Sequence, residues 1–234
     1  MSKTTGSDAL IQRIFQEHFS SVGSEVRYTQ RKIIHSIFER QNTLGLMPTG
    51  SGKSLCYWIA GKGLGGVTLV VFPLTALMDE QAQKLKDHGC KVYVLHSGID
   101  TRVQFQELVA LYNQTELPDF IFLSPERMAT DGFLELVLKH IRDQIRLVVI
   151  DEAHCISQWG LDFRPFYKEI PPFLQTIFED RPLPTVLCLT ATLNPKDREQ
   201  ICEDFKIKAN HVIEHDVLLR PEIHVQVTKV ANEN

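Results

Sequence analysis

The sequence predicts an α/β fold, mainly a parallel sheet with helices on both faces. Three observations predict it. Short, almost wholly apolar runs recur along the chain, as strands covered on both faces require. Amphipathic segments with helical spacing lie between them. The polar, chemistry-bearing residues fall just after the apolar runs, where open α/β sheets bind ligands.

The candidate strands are Leu44 to Met47, Val67 to Phe72, Val92 to Leu95, Phe120 to Leu123, Leu147 to Ile150 and Thr185 to Leu189. Ahead of them, Leu10, Ile11, Ile14, Phe15 and Phe19 share one helical face, and Ile33, Ile34, Ile37 and Phe38 share another. A helix over Leu77 to His88 should stop at Gly89, which tolerates left-handed backbone. Asn194 followed by Pro195 reads as an N-cap with proline at the first helical position.

Bulk properties set limits. The 234 residues suit one large α/β domain. Hydrophobic residues make up 43% and charged residues 23%, an ordinary globular balance. No apolar run approaches the ~18 residues of a membrane span, and Met1 to Asp8 lacks the apolar core of a secretory signal. Cys56, Cys90, Cys155, Cys188 and Cys202 form no Cys-x-x-Cys pair, which argues against zinc and points to a reducing compartment. The net charge of -4 does not announce a nucleic-acid binder, although a local groove of donors can hold a backbone on an acidic protein.

Met47-Pro48-Thr49-Gly50-Ser51-Gly52-Lys53-Ser54 follows a short strand and opens a helix. A triphosphate needs backbone N–H groups that curl around it, and Gly50 and Gly52 allow that approach, with Thr49 and Ser51 completing the loop. Lys53 can reach the β- and γ-phosphates, the Ser54 hydroxyl can ligate Mg²⁺, and the helix N-terminus adds positive potential. A glycine-bearing turn with a stray lysine is the plain alternative; strand before and helix after make it the weaker one. Asp151-Glu152-Ala153-His154 follows another apolar strand. Asp151 can hold the Mg²⁺ that bridges the phosphates, and Glu152 can orient or deprotonate the attacking water. An acidic pair after a strand is common on its own; in the same sheet as the lysine loop it becomes specific.

The tetrapeptide spells the DEAH box of superfamily 2 helicases. The following Cys155-Ile156-Ser157-Gln158-Trp159-Gly160-Leu161-Asp162-Phe163-Arg164-Pro165 resembles the aromatic-rich loop of RecQ DNA helicases. Other segments resemble that family in order: Arg27 with Gln30, the adenine-reading element; Leu55-Cys56-Tyr57; Phe72-Pro73-Leu74 with Gln81; Ser124-Pro125-Glu126-Arg127-Met128; Leu189-Thr190-Ala191-Thr192; and Arg220-Pro221-Glu222-Ile223. The resemblance spans residues 25 to 225. Departures are Met47 in place of the first loop glycine, Ser51 in place of a frequent glycine, Trp58 in place of glutamine and Leu161 in place of histidine. The aromatic expected ahead of Arg27 has no counterpart in Val22 to Val26.

The resemblance implies a RecA-like, ATP-binding P-loop NTPase domain over residues 9–225, with a flexible tail at 1–8 and the start of a linker at 226–234. Lys53, Asp151, Glu152 and His154 are the expected catalytic set. Arg27, Gln30 and Thr49 to Ser54 are expected to hold ATP, with Ser54 and Asp151 on Mg²⁺. Ser124, Arg127, Gln158, Trp159, Phe163, Arg164, Thr190 and Thr192 are expected to contact DNA or couple it to hydrolysis. For several of these there is a plainer role: aromatics filling a core, helix capping near Ser124, an Arg164–Asp162 surface pair, a satisfied second-layer histidine. Implied partners are single-stranded DNA and duplex junctions, but no membrane. The chain is expected to be the first of two RecA-like domains, the second supplying an arginine finger. The implied setting is the cytoplasm of a bacterium or the nucleus of a eukaryote. Alternatives are a DEAD/DEAH-type RNA helicase domain, a nucleotide-dependent binding module without turnover, and a small-molecule kinase, which the DEAH box and threonine motif disfavour.

Overall fold

The computed structural model describes residues 2–156 and 165–215. Helix α1 (Ser2–Ile14) runs into a π-helical turn, Phe15–Phe19, and is followed by α2 (Tyr28–Phe38). Strand β1 (Thr43–Leu46) leads to α3 (Lys53–Leu64), β2 (Val67–Val71) to α4 (Thr75–Asp87), and β3 (Val92–Leu95) to α5 (Thr101–Tyr112). Strand β4 (Phe120–Leu123) precedes α6 (Pro125–Thr130) and α7 (Gly132–Ile141). Then come β5 (Ile145–Ile150), α8 (Ile170–Ile177), β6 (Thr185–Thr190), α9 (Pro195–Asp204) and β7 (Val212–Glu214).

All seven strands form one sheet in the order β3-β4-β2-β5-β6-β1-β7, and every pairing is parallel. Side chains alternate across it. Leu147 and Val149 of β5 join the core under α1 to α4, while Val148 and Ile150 join the core under α5 to α9. Both faces are covered, so the central strands are buried along their whole length. A one-residue slip of β5 would exchange its two apolar sets, which pins the register.

The expected strands are all present with small shifts at their ends. Strand β1 starts at Thr43 and releases Met47, whose N–H still donates to Thr190 O at 2.9 Å. Strand β5 starts two residues early, at Ile145. Strand β7 was not anticipated; it is a half-exposed edge of three residues on β1. Helix α4 begins at Thr75 and ends at Asp87, with His88 as cap and Gly89 left-handed at φ +74°. Asn194 caps α9 as expected: its side chain accepts from Asp197 N at 2.9 Å, and Pro195 takes the first helical position. The polar stretch at 1–8 is taken into α1 from Ser2, and Asp8 reaches His35 at 2.8 Å. No helix among the described residues is long and apolar enough to cross a membrane.

Candidate nucleotide site

The sheet order brings β5, β6 and β1 side by side. Their carboxyl ends therefore carry the acidic pair, the threonine motif and the lysine loop to one place. After β1, Pro48 to Ser51 form a turn: Ser51 N and Ser51 Oγ both donate to Pro48 O, at 3.1 and 2.6 Å. Gly50 and Gly52 have φ of +79° and +80°, a region that costs a side chain dearly. Helix α3 then starts at Lys53, and Ser54 lies in its first turn.

The loop is held from outside by α2. Gln30, 2% exposed, donates from Nε2 to Ser51 O at 3.1 Å and Gly52 O at 3.0 Å, and accepts Arg27 N–H on Oε1 at 2.8 Å. Arg27 Nη1 adds a bond to Ser51 O at 3.1 Å. Both residues border the cleft, and the Gln30 Nε2 amide bonds to the loop backbone. The cleft has a volume of about 600 Å³ and is bordered by Thr49 to Ser54, Asp151 and Glu152. Gly23 lies on its wall where an aromatic was expected, and Trp58, also on the wall, clusters with Phe19 and His88.

Lys53 Nζ donates to Glu152 Oε1 at 2.9 Å. Glu152 has left-handed backbone, φ +49°, which turns its carboxylate back toward the lysine. The other Glu152 oxygen lies 3.2 Å from His154 Nδ1, which is also 2.9 Å from Thr190 Oγ1. Thr190 donates its own hydroxyl hydrogen to Thr192 O at 3.3 Å. Nδ1 of His154 therefore carries the proton, shared between the carboxylate and the hydroxyl.

Electrostatics follow the packing. Burial and the neighbouring Glu152 charge push Asp151 up to about 6, against the pull of Lys53. Burial would also raise Glu152, but hydrogen bonds from His154 and Lys53 outweigh it and hold the carboxyl at about 2. The contact with the Cys155 sulfur, 3.8 Å away, and the bond to Glu152 lift His154 to about 9. Lys53, Glu152 and His154 thus form a charged chain beside a buried Asp151 that, among the described residues, has no ion-pair partner.

Ser124 and Arg127 lie after β4, two strands from β5, outside this cleft. Ser124 is buried at the head of α6 without a side-chain cap bond, and Arg127 pairs with Asp131 at 2.6 Å. Thr192 borders a separate cavity of about 660 Å³ between α9 and β7. Gln158, Trp159, Leu161, Phe163 and Arg164 lie outside the described residues, as do Arg220 to Ile223. Some of the site was not anticipated. Tyr167 is fully buried and donates its hydroxyl to Asp151 O at 3.2 Å, while Lys84 of α4 and its cap His88 border the cleft. No local pattern marks Tyr167, which stands 16 residues beyond its acceptor.

These features define a nucleotide-cleft α/β domain, and the sequence pattern of the DEAD/DEAH box helicases matches residues 27–201. The chain belongs to the DEAD/DEAH box helicase family. It is 36% identical over 204 residues to the probable ATP-dependent DNA helicase RecS of Bacillus subtilis, covering 87% of this chain and 39% of that relative. It is 33% identical over 195 residues to the ATP-dependent DNA helicase RecQ of the same organism, covering 83% and 32%. The chain thus spans less than half the length of these relatives. Among solved structures, a hypothetical ATP-dependent RNA helicase from Sulfolobus tokodaii superposes with a TM-score of 0.64 at 23% identity, covering 88% of this chain and 56% of that one. That likeness supports the RecA-like fold.

Proposed function

We propose that this chain is the ATP-binding motor domain of a RecQ-like, 3′ to 5′ ATP-dependent DNA helicase, the first of two RecA-like domains. The observation that carries the reading is the convergence of Lys53, Asp151, Glu152, His154 and Thr190 at the carboxyl ends of three adjacent strands. The names of the RecS and RecQ relatives favour DNA over RNA.

Phosphates entering the loop meet the N-terminus of α3 and compete for Lys53. The lysine exchanges Glu152 for the phosphate oxygens, which frees Glu152 to orient water and accept its proton. His154 stays tethered to Thr190 and keeps Glu152 directed into the cleft. The donor set suits Mg²⁺: the Ser54 hydroxyl and the Asp151 carboxylate are hard oxygen ligands on the cleft, and a cation would stabilise the buried Asp151 charge. A bound Mg²⁺ would neutralise phosphate charge. Ser124, Arg127, Gln158, Trp159, Phe163, Arg164, Thr190 and Thr192 are the proposed DNA-contacting and coupling residues. A second RecA-like domain would close the cleft and bring an arginine finger; such fingers contribute ~10³–10⁵ in related phosphoryl transfers, so this chain alone should turn over very little.

The test is nucleotide binding followed by a fluorescent ADP analogue, together with single-stranded-DNA-stimulated hydrolysis by the complete protein. Lys53→Ala should lose both. Glu152→Gln should keep binding and lose hydrolysis. Equal loss of binding in the two variants would refute the assignment of roles.

A further inference from the structure

A second cleft, of about 260 Å³, opens at the other end of the sheet. Arg40, Arg142, Arg146 and Arg181 border it, over an apolar floor that includes Phe178 and Pro184. These four arginines come from separate parts of the chain: the end of α2, the turn after α7, the start of β5 and the segment before β6. They meet because β5, β6 and β1 are neighbours, so the amino ends of the three strands converge just as their carboxyl ends do. Strands of four to six residues separate the two clefts by roughly 13–20 Å. A nucleotide in the first cleft does not reach the second.

Two of the arginines are already held. Arg142 makes a two-pronged pair with Asp180, at 2.9 and 3.1 Å, and Arg181 pairs with Asp143. Arg40 and Arg146 are exposed and, among the described residues, have no carboxylate partner. Four guanidinium groups thus face two carboxylates, in a chain whose net charge is -4. The excess is local, and it is built only from guanidinium forks, which match the oxygens of a phosphate two at a time. An apolar floor lowers the local dielectric and strengthens such contacts.

We propose that this cleft is an accessory site for a phosphate group, the chemistry shared by a nucleic-acid backbone and by free polyphosphate. Arg40 and Arg146 supply the free donors. Arg142 and Arg181, neutralised and held in place by Asp180 and Asp143, frame the cleft, so the net positive charge comes from Arg40 and Arg146. The cleft is less than half the volume of the nucleotide cleft and is ample for a phosphate group. On a motor domain, such a site would hold a nucleic acid at a second point, away from the strand ends where hydrolysis is read.

Arg40 gives a clean test. It sits in left-handed backbone, φ +59°, at the end of α2, where its N–H donates to Ile37 O and Gln41 N–H donates to Ser36 O. Glycine is the least strained residue in that cap. Arg40→Gly should therefore leave the melting temperature unchanged or raise it, while removing one phosphate donor. The experiment uses the chain carrying Lys53→Ala, which silences the phosphate loop, with and without Arg40→Gly and Arg146→Gln together. The probes are pyrophosphate, by titration calorimetry, and a fluorescein-labelled thymidine oligonucleotide, by anisotropy, at about 50 mM salt.

The added pair of substitutions should weaken at least one probe about tenfold. For the oligonucleotide, the salt dependence of log K should shrink by about one to two. A loss for the oligonucleotide alone assigns the site to nucleic-acid backbone; a loss for pyrophosphate alone assigns it to free polyphosphate. Unchanged affinity for both probes overturns the proposal. So does a loss of binding accompanied by a fall in melting temperature, which would make these arginines structural. Failure of the nucleotide reading would show separately, in the fluorescent ADP titration of the chain with Lys53 intact.

Discussion

Gly52→Ala should destabilise this domain well beyond an ordinary glycine substitution, and the reason lies in Gln30. Gly52 has φ +80°, and a Cβ built there would stand 2.6 Å from Gln30 Nε2. Left-handed backbone alone costs alanine about 1 kcal/mol more than glycine. The clash is with the tip of a flexible side chain, which would be cheap if that tip were free. It is not: Gln30 Nε2 donates to both Ser51 O and Gly52 O, and the side chain is buried. Moving it forfeits two hydrogen bonds worth about 1 kcal/mol each. The sum is about 3 kcal/mol, a large share of the ~5–15 kcal/mol that holds a domain folded. At ~2–4 °C per kcal/mol for a chain of this size, the melting temperature should fall by roughly 6–12 °C. The assay is a thermal melt of four proteins: parent, Gly52→Ala, Gln30→Ala and the double variant. With Gln30 already truncated, Gly52→Ala should cost only the backbone part, about 1 kcal/mol, so the two changes should be strongly non-additive. Equal costs of Gly52→Ala in both backgrounds would refute the argument that Gln30 braces the loop.

Two further outcomes follow from single side chains. Asn194→Ala removes the cap of α9 and strips the buried Asp197 carboxylate of the Asn194 Nδ2 donor at 2.7 Å; it should cost about 1–2 kcal/mol, and a melt that does not shift would show the cap to be idle. Glu107 of α5 is half-buried with Oε2 unpartnered among the described residues, and burial raises its carboxyl above the ordinary range against the pull of Lys86. A folded-state pKa above the unfolded value means the fold binds the proton, so stability is full below the unfolded value and falls as pH rises through the raised one. Glu107→Gln should therefore raise the melting temperature near pH 7 and lose that advantage below about pH 4; parallel pH curves for the two proteins would exclude it.

The strands were legible because they are covered on both faces. Val67 to Val71 and Phe120 to Leu123 have no solvent face, so their apolar runs are unbroken and need no alternation to be recognised. Their ends were less legible, because a strand ends where backbone pairing ends, not where apolar side chains do. Met47 illustrates this: it is fully buried and apolar, and its N–H bonds to Thr190 O, yet it lies beyond β1. Strand β7 gave no signal, since three half-exposed residues on an edge carry no pattern. Helix ends were uneven for a related reason. Left-handed caps terminate α2, α4, α5 and α9, but only the one at Gly89 is a glycine; Arg40, Gln114 and Lys206 occupy the others without announcing them.

For the site, the sequence supplied residue types and the topology supplied their meeting. Lys53 and Glu152 stand 99 residues apart and touch because β5, β6 and β1 lie in that order in the sheet. Alternating strands and helices imply parallel pairing with right-handed crossovers, but they leave strand order open. The motif positions could therefore be anticipated at strand ends without showing which ends adjoin. The partners chosen inside the site were less legible still. That Gln30 braces the loop through Ser51 O and Gly52 O was not legible from its place in the sequence. The same holds for Lys53. A lysine placed to meet phosphate is also placed to meet Glu152, and the fold satisfies it with the carboxylate. On the proposed reading, a triphosphate would replace Glu152 as the partner of Lys53. On that reading, the step that grips the phosphates would also be the step that releases the group proposed to handle water.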